Sequence, residues 1–277
     1  MTGAAERHGA GMETERLVRI VLSGQVEPGE AAQAAWQGGA AATLLAKPDL
    51  LTQAARSAAG WRARGIGIHI PGDPGWPSQL DDLPAPPLVL YTRGQPLRPL
   101  LLRSVTVVGS RSATGDGRRL ARDWAQSLAG SGCTVVSGAA FGIDAAAHQG
   151  ALAAGRTVAV LASGVDLPSP AAHANLLHRI GQAGAIVSEL PPGTRPARHR
   201  FLARNRLIAA LTPGTLVVQA AQRSGALATA RRAAEMHRVV MAVPGSVTDP
   251  AHDGCHALIR DAAAVLVRRP SDVAELL

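Results

Sequence analysis

From Ser104 onward the chain repeats one pattern: a short run of apolar, largely β-branched residues, then a longer stretch of mixed polarity. The runs are "VTVVGS" (105–110), "TVVSG" (134–138), "TVAVLASG" (157–164), "AIVSEL" (185–190), "TLVVQA" (215–220), "VVMAVPG" (239–245) and "AVLV" (264–267). They are apolar throughout rather than alternating, which predicts strands covered on both faces, as in a parallel sheet. Helical stretches separate most of them. The expected fold class is therefore α/β, an extended Rossmann-like, doubly wound, mostly parallel sheet. Ligands then bind beyond the C-terminal ends of the strands. The polar loops in those places are "GSRSATGDG", "SGAAFGID", "SGVD", "SELPPGTRPARHRF" and "AAQRSGALATA".

Before this region the pattern differs. Residues 13–60 are rich in Ala, Leu and Gln, with Pro28 and Pro48 as breaks. "EAAQAAWQ" and "PDLLTQAARSAAG" read as short helices. Residues 61–100 are turn-rich, with two short strands near 67–70 and 88–91. The expected organisation is a small N-terminal helical domain (1–64), a connector with short strands (65–103) and a Rossmann-like domain (104–277). No repeat is visible.

Composition narrows the class. The 277 residues are 47% apolar but only 3% aromatic, so Ala, Val and Leu must build the core. No uninterrupted apolar run reaches the ~18 residues that span a bilayer. The charged start lacks a signal-type apolar region. The expectation is a cytoplasmic protein with no membrane partner. Cys133 and Cys255 are lone thiols without metal spacing, which suits a reducing compartment and predicts no metal site. Net charge is +8. Of 28 basic residues only Lys47 is a lysine, a ratio that coding bias accounts for. Bias does not explain where the charge sits. From Arg195 to Arg238 there are nine Arg and one acid, Glu235. Such a block suggests an anionic partner, nucleic acid first.

The loops offer candidate chemistry. In "VVGSRSATGDG" the glycines at 109, 115 and 117 have the wrong spacing for a dinucleotide fingerprint, and the second strand ends in Ser137-Gly138 with no acid. A Walker A loop needs a lysine, and none follows Lys47. No nucleotide cofactor is expected. Gly109, Ser110 and Arg111 either hold a phosphate or form a tight turn with a solvated Arg. In "SGAAFGIDAAAH", Asp144 is expected to cap the next helix, with His148 at the surface and Phe141 packing the loop. Gly138 and Gly142 let backbone approach a ligand.

"RPARHRFLARNRLIAAL" (195–211) holds Arg195, Arg198, Arg200, Arg204, Arg206 and one of only two Phe, with no acid. Helical spacing puts Leu207, Ile208 and Leu211 on a buried stripe with Arg204 one turn earlier, while Arg206 points elsewhere. Arg in a first helical turn opposes the macrodipole at roughly 0.3–1 kcal/mol each, a sign that a bound anion reverses. Either Phe201 is core beside a solvated cationic loop, or the stretch binds a single strand, with cations for the backbone and a π-face for a base. Ser224 and Gly225 open a further helix, as a plain cap or an anion site.

Taken in order, "GDPGWPSQLDDLPAPPLVLYTRG", "VVGSR", "SGAAFGIDAAAH", "SELPPGT", "FLARNRLIAALT", "SGALATA", "VPGS" and "GCHALIRDAA" resemble the DNA-processing protein A (DprA/Smf) family, from about residue 65 to 277. The ordered set is highly specific, although no single motif is. The resemblance implies a dimeric, non-enzymatic protein that binds single-stranded DNA and loads the recombinase RecA onto it in natural transformation. It implies phosphate contacts from Gly109, Ser110 and Arg111, a basic contact from Arg198 and a stacking aromatic in Phe201. Arg204, Asn205 and Arg206 match the family's Arg-Asn-Arg, and Ser224 and Gly225 its later Ser-Gly. Leu258, Ile259 and Leu266 are apolar candidates for the dimer surface, or equally for the core.

Three departures stand out. Relatives often carry a basic residue just before Gly-Ile-Asp, where this chain has Phe141. The N-terminal segment lacks a G-x-G hairpin of the helix-hairpin-helix kind. The chain ends at "SDVAELL", so the winged helix many relatives carry is expected to be absent. The fold also resembles the lysine-decarboxylase-like (LOG) group, which hydrolyses nucleoside monophosphates through P-G-G-x-G-T-x-x-E. Here "SGALATARR" (224–232) keeps Gly225 and Thr229, replaces two glycines with Ala226 and Ala228, and holds Arg232 where the Glu belongs. A cation cannot do a carboxylate's acid–base work.

Overall fold

The computed structural model describes residues 2–277, with side chains from residue 11 onward. Four helices come first: α1 (Thr2–Gln25), α2 (Glu30–Gln37), α3 (Ala40–Leu45) and α4 (Pro48–Ala63). Pro48 opens α4, where a missing N–H costs nothing. Strands β1 (Ile66–His69) and β2 (Leu90–Gly94) follow, then α5 (Leu97–Leu101). The regular alternation is β3 (Ser104–Val108), α6 (Gly115–Gly130), β4 (Thr134–Ser137), α7 (Ile143–Ala154), β5 (Thr157–Val160), α8 (Ala174–Ala183), β6 (Ala185–Ser188), α9 (Arg198–Ala210), β7 (Gly214–Val217), α10 (Gly225–Glu235), β8 (Val239–Ala242), α11 (Asp253–Arg260), β9 (Val265–Leu266) and α12 (Pro270–Glu275). Each expected strand has a counterpart. The helices α1, α3, α5 and α12 are additions to the expected set.

The strands form one sheet in the order β1-β2-β6-β5-β4-β3-β7-β8-β9. β1–β2 and β2–β6 are antiparallel, and every other pair is parallel. The alternating side chains of β3 show why both faces had to be apolar. Val105 and Val107 join Trp124, Leu128 and Ile143 from α6 and α7. Val108 points the other way, into a cluster with Leu207, Ile208 and Ala226 from α9 and α10. Thr106 Oγ1 donates to the Ile208 carbonyl at 2.8 Å and so ties α9 to the sheet. The N-terminal helices share a third cluster with the antiparallel edge, where Val18, Leu22, Ala54 and Ala58 meet Ile66, Ile68 and Tyr91.

The chain builds β3 to β6 outward in one direction, then returns to place β7 on the other side of β3. Loops leaving β3 and β7 therefore diverge, and a crevice opens at their C-terminal ends. Two sequence expectations near it fail. His148 is fully buried rather than at the surface, with Nδ1 2.8 Å from Thr157 Oγ1. A Cβ at Gly150 would strike the Arg122 backbone, so α7 lies too close to α6 to leave that turn in water. Burial pulls the His148 pKa down to about 3. Asp144 does not cap α7 either: Gly142 holds that position and Asp144 lies inside the first turn, buried.

Candidate functional site

The loop after β3 is shaped by what it must pass. A side chain at Gly109 would collide with Ile143 and with the Gln219 carbonyl, 2.8 Å from where its Cβ would stand. Ser110 N–H donates to that same carbonyl at 2.7 Å. The Gln219 side chain accepts from Thr114 N–H at 2.9 Å and donates to Thr114 Oγ1 at 3.0 Å. Thr114 in turn caps α6, accepting from Gly117 N–H at 3.0 Å. The loops after β3 and β7 are thus pinned to each other, and Arg111 projects from the first as an exposed side chain. Across the crevice Ser224 caps α10, accepting from Ala226 N–H at 3.3 Å.

Between these loops and α9 lies a cleft of about 610 Å³. Its wall includes Gly109, Ser110, Arg111, Arg198, Arg204, Asn205, Ser224 and Gly225, all named from the sequence. It also includes Ser112, Ala140 and Arg223, which were not, and Asp144, which was named only as a helix cap. Arg223 carries a readable signal, a cation directly before Ser224-Gly225. Asp144 carries none, because its capping role is the commoner fate of an Asp after Gly-Ile. Phe201 stands beside the cleft, half-buried, with the Arg111 guanidinium 5.1 Å from its ring centroid and that of Arg204 6.0 Å away.

The arginines of the cleft loops and of the 195–238 block differ in their partners. Arg111, Arg198 and Arg223 are exposed and, among the described residues, have no carboxylate partner. Arg195 and Arg231 are likewise exposed without a carboxylate partner among the described residues but lie outside the cleft, and the others are engaged. Arg200 reaches Glu27 at 2.6 Å and pulls that carboxyl down to about 2, with His199 assisting. Arg238 reaches Asp82 at 2.5 Å. Arg206 turns away from the cleft to the buried Glu189. Its expected place with Arg204 and Asn205 at the binding surface is corrected: one residue on from Asn205, the helix carries it around to the acid. Arg232, at the Glu position of the hydrolase pattern, pairs with Glu235 at 3.0 Å and lies outside the cleft.

Arg204 is a buried foundation rather than a free cation. It is 4% exposed, and its Nη1 donates to the carbonyls of Gly138, at 2.9 Å, and Val160. A Cβ on Gly138 would sit 2.7 Å from the guanidinium, so glycine there makes room for Arg204 and itself stands off the cleft wall. Burial lowers Arg204 to about 10, with Asp144 opposing and Arg111 assisting; it stays charged at neutral pH. Burial likewise raises Asp144, against the opposing pull of Arg204 and the N–H groups of Ala140 and Gly138. Among the described residues no group of three His, Cys, Asp or Glu side chains is placed to hold a metal. No helix among them is long and apolar enough to cross a membrane.

A cleft at the switch point belongs to the fold and does not by itself name a family. Residues 67–277 match the family model described as DNA recombination-mediator protein A. The chain belongs to that family. A DNA processing protein DprA of Mycobacterium tuberculosis is 48% identical over 230 residues, covering 82% of this chain and 54% of that protein. The chain thus spans about half the length of this relative. The structure of DprA from Streptococcus pneumoniae superposes with a TM-score of 0.72 at 36% identity, covering 83% of this chain and 82% of that one. DNA processing protein A from Helicobacter pylori, a structure that concerns a single-stranded DNA binding mode, superposes with a TM-score of 0.69 at 27% identity, covering 76% and 94%.

Proposed function

We propose that this member of the DprA family binds single-stranded DNA in the switch-point cleft. The observation that carries the reading is the sorting of the arginines: those around the cleft lack carboxylate partners, while Arg200, Arg206 and Arg238 are paired. Arg111, Arg198 and Arg223 take phosphates, helped by the backbone of Gly109 and Ser110 and by the Ser224–Gly225 helix start. Phe201 takes a base. Asn205 lines the wall, and Arg204 and Gly138 position the loop beneath. The single-strand binding of the Helicobacter pylori relative supports this reading. All cleft residues fall within 104–277, the proposed DNA-binding domain, behind the helical segment 1–64 and the connector 65–103.

The family resemblance extends the proposal to loading of the RecA recombinase in transformation and recombination, in the cytoplasm, without turnover of the DNA and without a cofactor. The test of binding is an oligo-dT against duplex DNA at two salt concentrations. The single strand will win, because a duplex hides its base faces. Arg111→Ala and Arg198→Ala will each flatten the logarithmic salt slope by about 0.7, one phosphate's share on a single strand. Equal affinity for both DNAs, or slopes that do not move, overturns the reading.

A homodimer through the end of the sheet is part of the same proposal. Leu258 and Ile259 are half-buried against the core, whereas Val265 and Leu266 on edge strand β9 are 48% and 43% exposed. Leu266→Glu will therefore give a folded monomer with weaker DNA binding, read by light scattering. An unchanged dimer places the interface elsewhere.

A further inference from the structure

We infer that Phe141 forms a second base-stacking position on the single strand, beside the cleft and separate from Phe201. This rests on the single-strand reading above and adds a contact to it. The chain has two Phe, and a loop-packing role predicts that this one is covered. It is 48% exposed. The exposure is built in. After β4 the backbone turns through Ala139 at φ +55° and Gly142 at φ +78°, two left-handed positions within four residues. Left-handed geometry is unfavourable for an alanine, so the surrounding fold holds it there. The result lifts Phe141 out of the sheet's end into water.

The ring is also held in place. Its centroid lies 4.7 Å from that of His173, at an interplanar angle of 63°. His173 is fixed in turn, its Nδ1–H donating to the Ala139 carbonyl at 2.9 Å. A ring braced on one side and wet on the other suits stacking, because little rotamer freedom is left to lose. Its place suits the same strand. The Ile143 N–H donates to the Ser110 carbonyl at 3.2 Å, and a Cβ at Gly142 would strike the backbone of Ser110 and Arg111. Phe141 therefore adjoins the residue that seats against the phosphate loop, and Ala140, its neighbour on the other side, lines the cleft. A strand held at Arg111 passes this ring as it leaves.

The experiment is titration of the full chain with a fluorescent oligo-dT at constant salt, beside an abasic oligonucleotide of equal length. Phe141→Ala will weaken oligo-dT binding by about 5-fold or more, the lower end of a lost base–aromatic stack. The abasic strand will not register the change, and the salt slope will stay constant, since no charge is lost. Phe141→Tyr will keep wild-type affinity. Phe141→Trp will show added emission over wild type that oligo-dT quenches, which covers the case in which the alanine variant does not fold. Wild-type affinity in Phe141→Ala, or an unquenched Phe141→Trp, overturns the inference and leaves a loop clasp. If the wild-type chain holds no single strand at all, it is the parent reading that fails.

Discussion

Replacing Arg204 with leucine will destabilise the fold by roughly 3–5 kcal/mol at neutral pH, the cost of stripping two buried carbonyls of their charged donor and leaving the nearby buried Asp144 without its opposing charge. The side chain supplies the donors for the Gly138 and Val160 carbonyls at the ends of β4 and β5, and its charge offsets the burial of Asp144. The pH dependence identifies the partner. Burial already holds the Asp144 carboxyl above its ordinary value, and loss of Arg204 will raise it further. A carboxyl whose folded pKa exceeds its unfolded one contributes stability below the unfolded value, and loses it as pH rises through the folded value. The unfolded state is common to both proteins, so the gap will be smallest at acid pH, below the wild-type folded value, where the carboxyl is protonated in both, and will widen as pH rises toward the variant's higher value. Urea unfolding at acid and neutral pH measures it. Adding Asp144→Asn to the variant will recover part of the loss at neutral pH. The same loss at both pH values, with no recovery in the double variant, would exclude Asp144 as the partner.

Arg204 also marks how far the sequence reaches. Its place on the buried stripe with Leu207 and Ile208 follows from helical spacing alone, since positions three and four apart share a face. The strands are legible for a similar reason: a strand covered on both faces has no polar positions to interrupt it. What spacing cannot convey is pairing. Arg198 and Arg206 look alike in a run without acids, but Glu189 comes from the loop before α9, and Glu27, which takes Arg200, lies at the far end of the chain. A local count of charge therefore overstates the free cations. Burial of polar groups is opaque in the same way. Asp144 and His148 carry no local sign that α7 is pressed between α6 and the sheet, because the Gly150 contact that brings the helices together involves Arg122, on another element. Helix α1 is hidden for a different reason. Its apolar positions Val18, Ile20 and Leu22 do not keep a clean helical period, and the partners that bury them, on α3, α4 and the β1–β2 edge, lie elsewhere in the sequence.

Phe201→Ala will weaken binding of oligo-dT by about 5- to 150-fold at constant salt, corresponding to ~1–3 kcal/mol for one base–aromatic stack. The ring is half-buried, borne on the first turn of α9, and leaves a face toward Arg111, whose guanidinium rests 5.1 Å from its centroid. That resting contact, about 0.5–1 kcal/mol at an exposed site, holds Arg111 at the rim before DNA arrives. On the proposed reading, an incoming base takes over the ring face as the guanidinium turns to a phosphate. Two consequences separate this from a core role. The salt slope will be unchanged in Phe201→Ala, because every phosphate contact survives, whereas Arg111→Ala flattens it. The double variant Phe201→Ala with Arg111→Ala will lose more than the sum of the single losses, because binding in the wild type breaks the cation–π contact and each single change already relieves that cost. If Phe201→Ala instead lowers the melting temperature sharply while affinity per folded molecule holds, the ring is packing for α9, and the base must find its platform elsewhere in the cleft.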